Sequence, residues 1–148
     1  MNTYPADQPV AILSPIIVYV LFCVLLIVIL RGPLKAIPAE YRKLKPSTLW
    51  YALIPGAVIF FWFFVTLYAI PASYKNYFQK NPGQDKTNSK WYGLNYALVW
   101  HGLSVINLVD RGVGHFIPFV GLLNAAGLIA MAYYFYLVYS WRKFVVVK

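Results

Sequence analysis

The sequence predicts an all-α integral membrane protein, a single bundle of about four transmembrane helices. Three observations predict it. The 148 residues are 61% hydrophobic and 19% aromatic but only 11% charged, whereas a soluble domain carries about 25% charged residues to cover its surface. The apolar residues fall in four long runs, each free of Asp, Glu, Lys and Arg from end to end. The net charge of +9, from 13 Lys and Arg against 4 Asp and Glu, is concentrated between those runs and at the C-terminus. That placement fits anionic lipid headgroups and the positive-inside bias rather than nucleic acid.

The first predicted helix covers residues 10–30, VAILSPIIVYVLFCVLLIVIL. About 20 apolar residues cross a ~30 Å hydrocarbon core, so this run is long enough. Residues 1–9 hold Asp7 and no Lys or Arg, and the run ends at Arg31 without a small-residue cleavage site. It reads as a retained helix rather than a signal peptide. Cys23 lies inside it, the sole cysteine, and reads as a small apolar filler.

Residues 31–48 form a basic linker punctuated by Pro33, Pro38 and Pro46. The second predicted helix covers 49–70, with Trp50 and Tyr51 at one interface and Tyr68 near the other. Pro55 and Gly56 inside it predict a kink, because proline frees a backbone carbonyl. Residues 71–92 read as the only water-soluble stretch, although Ser73 to Lys80 can continue as a helix with Tyr74, Tyr77 and Phe78 on its apolar side.

The third predicted helix, 93–109, is short and polar for a span. At 100° per residue Gly93, Ala97, Trp100, Ser104, Asn107 and Leu108 share one face, with His101 at its edge. Small and polar residues mark the side of a membrane helix that packs on other helices. The fourth predicted helix, 116–141, carries Gly121, Asn124, Ala125 and Leu128 on one stripe. That stripe predicts a seam against the third helix. The run of Tyr133, Tyr134, Tyr136, Tyr139 and Trp141 reads mainly as interfacial belt.

Charge and topology conflict. Four full spans put the first linker on the cytoplasmic side and the second linker, which is also basic, outside. A hairpin at Pro55 would put both on one side. The run lengths favour four spans.

From Pro46 onward the chain resembles a group of small, uncharacterised bacterial membrane proteins. Leu49, Trp50, Leu53, Ile54 and Pro55 match the start of their second helix, and Trp62, Phe64 and Val65 match its centre. Ser73, Gly93 and Leu94 match positions beyond that helix, whereas Gly56-Ala57 departs from the pattern. The resemblance covers about two-thirds of the chain. It implies architecture only; the expected location is multi-pass in a bacterial inner (cytoplasmic) membrane. The group carries no established activity, so the resemblance implies no reaction.

Chemistry is sparse. The chain has no Walker loop, no HExxH, no CxxC and no paired intramembrane carboxylates. No catalytic set and no metal site are expected. His101 is the ionisable residue placed at membrane depth, where such residues are functional candidates. It is expected as a hydrogen-bond anchor between helices, with haem or quinone contact and proton transfer as alternatives. Asp110-Arg111 predicts a local salt bridge. The expected function is a non-enzymatic accessory or structural subunit of a larger membrane complex, respiratory or otherwise energy-transducing. Its expected partners are other membrane subunits and lipids with anionic headgroups, in a hetero-complex rather than a monomer. The alternatives are a small homo-oligomeric channel or transporter and a haem- or quinone-contacting subunit.

Overall fold

The computed structural model describes residues 8–54, 58–87, 90–114 and 117–145; the predicted kink at Pro55 and Gly56 lies outside them. Among the described residues there is no strand. Helix α1 spans Gln8–Ala36, α2 Val58–Phe63, α3 Ile70–Lys80, α4 Leu94–Val113 and α5 Val120–Trp141. A 3-10 helix, Pro46–Leu53, precedes α2, and a π-helical segment, Phe64–Ala69, joins α2 to α3. Among the described residues two helices are long and apolar enough to cross a membrane, Ile16–Ala36 and Val120–Phe144. With 20 residues α4 has the length, about 30 Å, but its polar side chains lower its hydropathy.

The first helix runs further than the sequence predicts. It passes Leu30 and the Gly32-Pro33 pair to end at Ala36. Leu30, Leu34 and Ile37 are fully buried, and their spacing keeps one helical face on the core. The last carbonyls of a helix need outside donors. Arg42 supplies them, donating from Nη2 to Lys35 O at 2.9 Å and from Nε to Ile37 O.

The predicted helix 49–70 is not one element. The 3-10 helix Pro46–Leu53 runs back along α1 and buries Leu49 and Ala52. Tyr19 Oη donates to Ala52 O at 3.2 Å, well up α1 from its C-terminal end. Then α2, the π segment and α3 return as one rod. The Lys43 amide donates to Ser73 Oγ at 2.8 Å, and Tyr41 packs edge-on against Tyr77 at 5.5 Å. Residues 46–80 therefore start and finish at the same end of the molecule.

Both basic linkers meet at that end. The basic C-terminus joins them, because Arg142 lies 3.8 Å from where a Gly32 side chain would begin. Running away from this end, α4 carries Arg111 and the α4–α5 turn to the opposite one.

The core also sits near the basic end. Ser73, Tyr74, Tyr77 and Phe78, in the stretch expected to face water, are buried. Tyr74 meets Trp141 edge-on at 5.5 Å, and Tyr92 stacks on Phe78 at 5.9 Å. The turn-forming residues that made this stretch read as soluble are confined to the loop after α3, while α3 itself is amphipathic. The tyrosine run of α5 divides likewise. Tyr134 and Trp141 are core, and Tyr133, Tyr136 and Tyr139 are exposed. Large apolar side chains elsewhere are bare, including Val18 and Leu21 of α1, Leu98 and Leu108 of α4, and Leu122 and Ile129 of α5. Soluble monomers rarely expose such continuous apolar faces.

Candidate functional site

The site begins with a proline. Ile70 N–H donates to Val65 O, five residues back, which is the π register. The next amide in that register would reach Thr66 O, but residue 71 is proline and has no N–H. Tyr134 Oη supplies the missing donor from α5, at 3.0 Å. Single π turns inside α-helices recur at functional sites.

Thr66 then links the rod to α4. Its hydroxyl lies 2.7 Å from Trp62 O and 2.6 Å from His101 Nε2. A threonine has one hydroxyl proton, and a carbonyl can only accept. The proton therefore points at Trp62 O, and His101 Nε2–H donates to Thr66 Oγ1. Nδ1 is the ring nitrogen left for any ligand. His101 is 6% exposed. Phe63 lies 4.1 Å from its ring at 23°, and Trp100 lies 4.4 Å away at 21°. Two rings that close cannot share one face of an imidazole without overlapping, so they clamp it from both sides. This geometry holds His101 as an interhelical anchor.

The other predicted residues divide. Gly93 and Ala97 are buried on the His101 face. Gly93 opens α4 with φ 80°, and a Cβ there would stand 3.2 Å from the Tyr134 ring. Ser104 is exposed and donates to Trp100 O. Asn107 and Asn124 are half-buried and meet across the seam at 3.4 Å. Gly121 and Ala125 do not form the seam. They are exposed, and the close approach falls at Gly127, where a Cβ would stand 3.4 Å from Leu103 Cβ. The buried side of α5 is set by Ala130, Tyr134, Val138 and Trp141, whose bulk fixes the helix rotation. Leu108, placed on the predicted inner face of α4, is exposed for the corresponding reason: Ala97 and His101 set that rotation.

Asp110 is buried, and Oδ1 accepts the Ile117 amide at 2.8 Å, closing the α4–α5 turn. Arg111 lines a groove of about 390 Å³ with Ser104, Asn107 and Asn124. His115 lies outside the described residues. The sequence analysis did not single out Thr66 or Phe63, and it placed Tyr134 in the interfacial belt, whereas Tyr134 is fully buried. The available signal was a lone threonine in an apolar run, five residues before a proline.

At the basic end Asp85 organises the loop. Its carboxylate accepts from the Thr87 amide and hydroxyl, at 3.1 and 2.6 Å, and from Tyr92 Oη at 2.9 Å. Burial alone would raise its pKa; the Thr87 and Tyr92 hydrogen bonds outweigh burial and hold it below the usual value. Burial, then the Asp85 contact, raises the Tyr92 phenol to about 12. Tyr92 has φ 47°, a conformation these contacts keep in place.

Among the described residues no group of three or more His, Cys, Asp or Glu is placed to hold a metal ion. Comparisons with family models, curated proteins and solved structures returned no match for this chain. The family resemblance drawn from Leu49 to Leu94 rests on those residues alone.

Proposed function

We propose that this chain is a non-enzymatic accessory subunit of a larger membrane complex. It crosses the bilayer with α1, α4 and α5, and it enters from one face with the re-entrant hairpin of residues 46–80. The three crossings replace the four that run length favoured. They are supported by charge: both basic linkers and the basic C-terminus share one end, which the positive-inside rule places in the cytoplasm. The exposed apolar faces of α1, α4 and α5 then meet lipid or partner helices. A bacterial inner membrane is the proposed setting.

The observation that carries the subunit reading is the uncovered half of the α4–α5 hairpin. Ser104, Asn107, Asn124 and Arg111 surround an open groove there, and Gly102, Gly121 and Ala125 are exposed nearby. Polar side chains facing hydrocarbon are costly, and small residues let another helix approach closely. A partner helix lying in this groove satisfies both.

The test is photo-crosslinking in native membranes from Ser104 and Asn124, with Leu25 as the control position. A discrete hetero-adduct from the first two supports the reading. A chain that stays monomeric from every position ends it. An adduct of twice the mass favours the homo-oligomeric channel or transporter, which a proteoliposome flux assay on wild type and His101→Ala then decides. The haem reading is weakened by the His101 geometry, since an axial bond through Nε2 requires breaking the Thr66 contact.

A further inference from the structure

We infer that the cleft between α3 and the start of α4 is a binding site for one anionic glycerophospholipid. The inference rests on the membrane-embedded reading above, but not on the partner subunit.

The cleft measures about 450 Å³ and lies at the basic end. Its lining divides by chemistry. Leu67, Pro71, Ala72 and Leu94 are apolar, Tyr68 and Trp91 are interfacial aromatics, and Lys75 and Lys90 are cationic. Both lysines are exposed, one on α3 and one on the turn before α4. The two elements therefore bring a positive charge to the cleft from separate sides.

Asp85 directs one carboxylate oxygen to Thr87 and the other to Tyr92. Tyr92 also lines the cleft, so the same hydrogen bond that holds Asp85 helps fix the wall. Trp91 and Tyr68 are amphipathic rings of the kind that settle at headgroup depth. An apolar floor with two ammonium groups above it matches an acyl chain and a phosphate that carries net negative charge. A zwitterionic lipid offers the chain without the net charge, and free phosphate offers the charge without the chain. Basic pockets beside membrane helices are a recurring mode of lipid headgroup recognition.

The site can be tested on the full chain purified in a mild detergent. Native mass spectrometry would count lipid retained from mixed micelles of phosphatidylglycerol or of phosphatidylcholine. Wild type should hold a single phosphatidylglycerol and release phosphatidylcholine. Lys75→Gln with Lys90→Gln should weaken retention roughly 30-fold, two cations' worth of headgroup attraction. Ala72→Trp keeps both lysines and fills the floor, and it should also abolish retention. Equal retention by wild type and the double glutamine variant overturns the proposal. So does retention by Ala72→Trp, or phosphatidylcholine held as well as phosphatidylglycerol. Displacement by equimolar inorganic phosphate would show a free-anion site and overturn the lipid. A thermal melt in detergent confirms that each variant is folded. A chain that stays in the aqueous phase without detergent defeats the membrane reading, a different result from a detergent-dependent chain lacking lipid selectivity.

Discussion

The backbone amide of Lys43 donates to the side chain of Ser73 at 2.8 Å, joining the two basic linkers. Ser73 Oγ in turn donates to Ala69 O, so this buried hydroxyl uses both its donor and an acceptor position. The contact brings the two ends of the stretch between those residues together. Cysteines placed at Lys45 and Lys86 in a Cys23→Ala background should react with a membrane-impermeant maleimide from the same side. A cysteine at Arg111 should react from the other. Labelling of Lys45 and Lys86 from opposite sides would restore four full spans.

Thr66 and His101 act as a pair. Thr66→Val keeps the shape but leaves His101 Nε2–H without its acceptor, at a cost of about 1–3 kcal/mol. Thr66→Ser keeps the hydroxyl and should recover most of it. A double-mutant cycle with His101→Phe, read from denaturation in detergent, should show coupling above about 0.5 kcal/mol. Additive effects would mean the contact contributes nothing.

Tyr134 compensates for Pro71. Tyr134→Phe should cost about 1–2 kcal/mol, because it leaves the Thr66 carbonyl buried without a donor. In a Pro71→Ala background the new amide can serve that carbonyl, so the same change should cost less. An equal cost in both backgrounds would separate the proline from the tyrosine.

Gly93→Ala should lower the melting temperature more than alanine at exposed Gly102. A positive φ disfavours any Cβ, by about 1 kcal/mol, and here the Cβ also meets the Tyr134 and Trp141 rings at 3.2 and 3.3 Å. Comparable melts for the two variants would argue that the rings yield freely.

Asp85 predicts an acid-sensitive loop. Its folded pKa is lowered, so its stabilisation is fully present above the unfolded value of about 3.9. It is lost as pH falls through the folded value. Wild type should therefore lose stability below about pH 4, and Asp85→Asn should flatten that acid limb. Parallel curves for the two proteins would show that the carboxylate is not responsible.

The sequence alone determined the helical class and supplied runs apolar enough to suit a membrane. Long charge-free runs favour helices and make a poor soluble surface, whatever their arrangement. It also placed His101 on a helix face with Gly93 and Ala97, because helical periodicity is local. The order of the helices in space was not legible. A run such as 49–70 has the same composition whether it forms one straight helix or folds back, and the Lys43–Ser73 and Tyr19–Ala52 contacts favour the second. The partner of His101 was hidden for the same reason. Thr66 lies 35 residues away in sequence, and its orientation depends on a π turn fixed jointly by Pro71 and by Tyr134 on another helix. Gly121 and Gly127 are chemically alike, and the bulk of Tyr134 and Trp141 in the core decided which of them meets α4. Local periodicity gives each helix a face; packing among distant side chains decides what that face touches.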